Sequence, residues 1–254
     1  RAWWVALVTF LVLIASAAFR SSQGVMIVPI EDDLGWSRSV TSLAISVNLV
    51  IYGVTAPFAA ALMERFGVRR IAVGALALLA LGTGLTAVMT ASWQLVLLWG
   101  VLVGLGTGST ALVFGALVAN RWFTKRRGLV VGVFGAAWVT GQLVFLPIFA
   151  RLIEHQGWRS ASLLVAVLSA ALIPVVALVM RDRPSDLGLA PYGADSMPEL
   201  EANTTHSGWR AAAGALVVLR DAARTRAFWL LAITFAICGW TTNGIISSHF
   251  VPAM

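Results

Sequence analysis

The chain has 254 residues, of which 59% are hydrophobic and only 11% charged, with a mean hydropathy of +0.87. A soluble domain carries roughly a quarter charged residues, and a core of this size cannot hide so much apolar surface, so the excess requires lipid. A net charge of +7 and a pI near 11.2 would suit a nucleic-acid binder, but the cations fall in short clusters between apolar runs rather than on one face, which excludes nucleic acid as a partner.

A helix needs about 20 mostly apolar residues to cross about 30 Å of hydrocarbon, and seven stretches satisfy this. The first is Trp3 to Ile30. It opens at Arg1 within a hydrophobic context, with no cleavable signal peptide in view, so the start reads as cut. Arg20 is the one ionisable residue deep in an apolar span, ~15 Å of helix rise below Glu31 and near the bilayer midplane. A charge there costs from about 2.5 to more than 10 kcal/mol, so three readings are open: contact with an anionic ligand, a pair with a carboxylate elsewhere in the protein, or snorkelling. Ser21, Ser22 and Gln23 come next, and Gly24 permits close approach of a neighbour.

The second stretch, Val40 to Met63, carries Asn48 and Tyr52. Four residues apart, they share a face and could reach a central cavity or make interhelical hydrogen bonds. The third is Ile71 to Thr90. The fourth, Trp93 to Val118, places Gly100, Gly104 and Gly108 at every fourth position, a pattern suited to close helix packing and, less readily, to lining a passage. The fifth and sixth are Leu129 to Ile153 and Ser160 to Met180. The only long connection, Arg181 to about Arg226, is rich in charge, Pro and Gly. Within it Trp209, Leu216, Leu219 and Ala223 could form one face of a helix on the membrane surface beside Arg210, Arg220 and Arg224, or the segment could be a solvated linker. The seventh stretch, Ala227 to Val251, contains Asn243 and His249 as further polar candidates. Cys238, the only cysteine, excludes an intrachain disulfide.

Numbering the loops alternately puts fourteen of the eighteen basic residues on one side. These are Arg1, then Arg65, Arg69 and Arg70, then Arg121, Lys125, Arg126 and Arg127, then Arg181, Arg183, Arg210, Arg220, Arg224 and Arg226. Arg38, Arg151 and Arg159 lie opposite. The positive-inside rule then gives a cytoplasmic N-terminus and turns Glu31, Asp32 and Asp33 outward. The expected organisation is six spans over 1–180, a cytoplasmic linker over 181–225 and a further span over 226–254, in an all-α multi-pass membrane protein.

The short loops carry a family likeness. AALMERFGVRR, after span two, is similar to the most recognisable loop of the major facilitator superfamily, with Glu64, Arg65, Gly67, Arg69 and Arg70 matching, Ala60 in place of the leading Gly and Glu64 in place of Asp. WFTKRRGLVVGVFGAAWVTG resembles the span-five signature of the monocarboxylate porter family through Phe123, Lys125, Arg126, Arg127, Leu129, Gly132, Ala136 and Gly141. RDRPSDLGLAPYG resembles linkers of bacterial relatives that include the oxalate/formate antiporter group. The resemblance implies two six-helix bundles in a bacterial inner membrane that rock about a central site as parallel repeats, with 1–180 as the N-terminal bundle, 226–254 as the start of the second and the rest of the C-terminal bundle missing from this chain, so that Val28, Pro29 and Ile30 correspond to Val251, Pro252 and Ala253, and Arg20 to Asn243. It also implies that the basic residue of span one, usually Lys, handles substrate or proton. Arg20 suits a carboxylate bidentately but cannot release a proton at ordinary pH. Charge pairs of Glu64 with Arg65 and Arg69 would latch one orientation, or the cations merely fix topology.

The resulting expectation is a secondary transporter of small organic anions, chiefly monocarboxylates, working by proton symport or exchange, with Arg20, Asn48, Tyr52 and Asn243 as substrate contacts. The alternatives are an exporter of drugs or uncharged metabolites and, more remotely, a membrane enzyme or receptor. His155, His206 and His249 lie in separate regions, and neither HExxH nor GxSxG occurs, so no enzyme, cofactor or metal site is expected.

Overall fold

The computed structural model describes residues 1–194, 217, 219–239 and 241, apart from the side chain of residue 112. Its helices follow the apolar runs: α1 Ala2–Leu34, α2 Arg38–Phe66, α3 Val68–Thr86, α4 Ser92–Trp122, α5 Arg127–Gln156, α6 Trp158–Val179 and the shorter α7 Arg226–Gly239. The first six are long and apolar enough to cross a membrane. They coincide with the first six predicted spans, though α1 runs on through Glu31, Asp32 and Asp33, and α3 stops at Thr86. Predicted span seven is described only in part, and Asn243, His249 and the 251–253 repeat lie outside the described residues, as do Trp209, Arg210 and Leu216.

Connections between helices are tight because glycine supplies backbone that other residues avoid. Gly35 ends α1 in the left-handed region at φ 65, its N–H bonded to the Glu31 carbonyl, while Gly67 (φ 91) and Gly157 (φ 79) turn α2 into α3 and α5 into α6. One end of the bundle therefore gathers residues 64–70, 121–127 and 180–193, and we call it the basic end. The other gathers 31–38, 88–92 and 155–159 and is the acidic end.

α1 is the most enclosed helix: 61% of its most apolar stretch is buried, against 22% for α2 and for α5. It packs chiefly on α5 and α6, while α3 packs on α6 and α2 on α4. One apolar cluster, with Met63, Phe114, Trp122, Phe123 and Met180, fills the basic half. A second, with Phe19, Met26, Ile30, Trp99, Phe149 and Trp158, fills the acidic half. Arg20 lies next to Phe19, between them in the middle of α1.

α4 is irregular. A π-helical stretch spans Val96–Val103, and the helix breaks at Thr110 and Ala111 before resuming at Leu112–Trp122. Three glycines and a threonine that bonds back to its own turn, Thr110 Oγ1 to the Gly106 carbonyl at 3.2 Å, account for the bend. The glycine stripe packs against α2: a methyl group on Gly108 would stand 2.9 Å from the Tyr52 carbonyl oxygen, and one on Gly104 3.0 Å from Ile51.

Candidate functional site

Two helices converge on Arg20 of α1. The close seating of α4 on α2 sets the position of Tyr52, whose ring centroid lies 4.2 Å from the Arg20 guanidinium carbon. From α5 comes Trp138, with its ring centroid 5.4 Å away. α5 can approach α1 because Gly141, one turn along from Trp138, faces Ala17, whose Cβ would lie 2.7 Å from any Cβ added there. Two aromatic faces within about 6 Å of the cation stabilise it without neutralising it.

The polar edge of the guanidinium is left unpartnered. Nε and Nη2 of Arg20 are both closed off from solvent and have no hydrogen-bond partner among the described residues. These two nitrogens form the side-on edge of the arginine fork, the pair of parallel donors that takes both oxygens of one carboxylate. Gln23, one turn further on, is 9% exposed and its Nε2 likewise lacks a partner. Orphaned buried donors are rare, and each calls for an explanation. Their neighbours are satisfied locally: Ser21 donates to the Ala18 carbonyl, Ser22 to that of Phe19, and Ser16 and Thr110 share a hydrogen bond of 2.7 Å.

Of the polar residues read from the sequence, the structure brings Arg20 and Tyr52 together but sends Asn48 elsewhere. Asn48 is 1% exposed, and its Nδ2 donates to the Trp99 carbonyl at 2.6 Å, so the interhelical alternative is the geometry seen. Trp138 carries no such signal in the sequence. It is one of eleven tryptophans, and nothing local to span five marks it out from the others.

The loop motifs meet at the basic end around Asp182, an acid that no sequence pattern singles out. Placed just after α6, Asp182 accepts the Arg69 backbone N–H at Oδ1 (2.8 Å) and so caps the first turn of α3. Its carboxylate lies against Gly67, where any side chain would collide with it. Arg121 Nη1 reaches the Asp182 carbonyl at 3.5 Å. Glu64, Arg65 and Arg70 are exposed, Arg65 lying over the Phe66 ring at 4.7 Å.

The span-five signature divides into a docking half and an open half. Tyr192 pairs with Phe123 as an isolated parallel bridge: its N–H donates to the Trp122 carbonyl (2.8 Å), and its own carbonyl accepts from Thr124 (3.0 Å) and Lys125 (3.1 Å). Trp3 closes an aromatic triad, 5.3 Å from Phe123 and 5.7 Å from Tyr192. Arg126 takes the left-handed conformation (φ 63), and Arg127 opens α5. Further on, Leu129, Gly132 and Ala136 are exposed, whereas Gly141 is buried. At the acidic end Asp33 pairs with Arg159 (2.6 Å) and accepts from Trp158 Nε1 (3.1 Å), and Thr41 donates to Glu31 (2.5 Å). Among the described residues no three His, Cys, Asp or Glu side chains cluster as metal ligands.

Comparison with known proteins places this geometry. The sequence profile described as Major Facilitator Superfamily matches residues 9–254. An uncharacterized MFS-type transporter of Bacillus subtilis, YcxA, is 28% identical over 265 residues, covering 99% of this chain and 57% of that protein. The oxalate:formate antiporter of Oxalobacter formigenes is 26% identical (70% of this chain, 42% of the relative), and mouse monocarboxylate transporter 14 is 28% identical (79% and 38%). Among solved structures, the inward-open xylose transporter XylE of E. coli superposes with a TM-score of 0.61 at 14% identity, covering 89% of this chain and 57% of that one. The chain thus spans between 38% and 57% of the length of these relatives.

Proposed function

Because this chain belongs to the Major Facilitator Superfamily, we propose that it forms the N-terminal six-span bundle (1–180), the linker (181–225) and the start of the second bundle (226–254) of a secondary transporter of small organic anions, chiefly monocarboxylates. The observation that carries the anion assignment is the Nε and Nη2 edge of Arg20, enclosed yet unpartnered among the described residues, on a half-buried cation at mid-helix flanked by the Tyr52 and Trp138 rings. A buried charge with two free parallel donors is costly to leave empty, and a carboxylate relieves both the charge and the donors at once. Relatives named as an oxalate:formate antiporter and a monocarboxylate transporter support the same cargo.

Alternating access would rock this bundle against its repeat, with the basic end cytoplasmic in a bacterial inner membrane and Asn243 facing Arg20 from the second bundle. An arginine keeps its proton at ordinary pH, so Arg20 binds substrate and does not shuttle protons. Exchange, or symport with a proton carried by another group, is therefore the mode compatible with it.

The test is uptake by the full-length protein in proteoliposomes. Labelled monocarboxylates should accumulate, and Arg20→Ala should abolish the uptake. Accumulation of uncharged or cationic compounds with carboxylates ignored would instead identify an exporter of such molecules and end the anion reading.

A further inference from the structure

The residues around Arg20 bear on the shape of the cargo as well as its charge, provided that the cargo is the anion proposed above. The guanidinium offers a flat face and a polar edge. Tyr52 and Trp138 present their rings to the cation at 4.2 and 5.4 Å. An anion that takes the unpartnered Nε and Nη2 donors, which are closed off from solvent in this conformation, sits in the plane of the guanidinium with these rings close by. A carboxylate held by both donors lies in that plane as well, because bidentate pairing with arginine is coplanar. The atoms attached to the carboxylate then emerge beside aromatic surface.

α5 is uncrowded beside Trp138. Gly135, one turn from Trp138 on the same side of the helix, would accept a Cβ with no atom within 4 Å. Trp138 itself is only half-buried. Rings prefer offset-stacked or edge-to-face neighbours, which a flat unsaturated body can provide and a puckered saturated one of equal size cannot.

We infer that Trp138 is a specificity-determining residue that, with Tyr52, selects monocarboxylates whose carboxyl group is attached to a flat, aromatic body. Tyr52 is held by α4 through Gly108, so it is the fixed wall, and Trp138 is the wall whose replacement changes selectivity. Arg20 supplies affinity for any carboxylate, and Trp138 decides which body accompanies it.

Calorimetric binding of benzoate, cyclohexanecarboxylate and acetate to the purified full-length protein separates the two levels. Benzoate and cyclohexanecarboxylate match in charge and nearly in size but differ in flatness. Benzoate should bind about fivefold more tightly, the factor expected of one good aromatic contact. Trp138→Ala should bring that ratio close to one, and Trp138→Phe, which keeps a ring, should retain most of it. The retained ratio in Trp138→Phe distinguishes selection from a general loss of folding. Equal binding of the two ring acids in the native protein, or a preference that survives Trp138→Ala, overturns the inference. If in that case both acids still depend on Arg20, the anion reading stands. Absence of binding by all three acids, or binding indifferent to Arg20→Ala, removes both.

Discussion

Arg20 shows how one residue can be conspicuous in a sequence while its meaning depends on neighbours that are not. An ionised side chain in the middle of a long apolar run is legible at once, because the cost of placing it in lipid requires a special environment. Its ring partners are less so. Tyr52 can be placed on a cavity-facing side by helical spacing, whereas Trp138 comes from a helix more than a hundred residues away, and no local rule pairs the two. Asn48 is ambiguous in sequence for the opposite reason: an amide in a span fits a ligand contact and an interhelical bond equally well, and the structure shows the interhelical bond, 2.6 Å to the Trp99 carbonyl. Single side chains can be tested accordingly. Arg20→Lys should keep the charge but lose the two-pronged grip, lowering kcat/KM for a carboxylate by about tenfold, whereas Arg20→Ala should lower it beyond detection; both are read from initial uptake rates. Asn48→Ala should destabilise the bundle by about 0.6 kcal/mol, seen as a lower melting temperature in detergent, because it removes a single hydrogen bond between α2 and α4.

Helix boundaries and helix packing are legible to different degrees, and the difference is physical. Hydropathy reports where a helix can cross a membrane, so all six long helices are found from it, with ends displaced where polar residues continue the helix, as at Glu31 to Asp33. The every-fourth-residue glycines of span four predict close packing, and the packing is there. The same residue type in the span-five signature behaves differently: nothing lies within 4 Å of a Cβ on Gly132. Gly108→Ala should therefore lower stability by about 1 to 3 kcal/mol through overpacking against Tyr52 and Thr55, while Gly132→Ala, which gains helix propensity, should not lower the melting temperature. Asp182 is hidden in a charge-rich linker where any of several acids could have served. Asp182→Ala should cost about 0.5 to 2 kcal/mol by uncapping α3, and Asp182→Asn, which can still accept the Arg69 N–H, should recover most of the loss. If the asparagine variant is as unstable as the alanine one, the charge rather than the cap matters there.

For the whole molecule, the uneven distribution of cations predicts which end faces the cytoplasm, and this can be measured directly. In a Cys238→Ser background, Ser37→Cys should react with a membrane-impermeant maleimide added outside intact cells, and Thr124→Cys should react only after the membrane is opened. The reverse pattern would invert the topology assigned here. The bundle also has a mechanical property. Because Tyr192 is pinned to Phe123, with Trp3 packed edge-to-face against both, the chain from 123 to 192 closes on itself, and α5 and α6 lie inside the closed circuit. Traction arriving along the polypeptide from beyond Ala194 does not load the end of α6. It bears on the knot at Phe123 and through Trp3 on the first turns of α1, the same helix that carries Arg20, so a tug from a moving partner would be felt by the most central rod of the structure before its outermost ones.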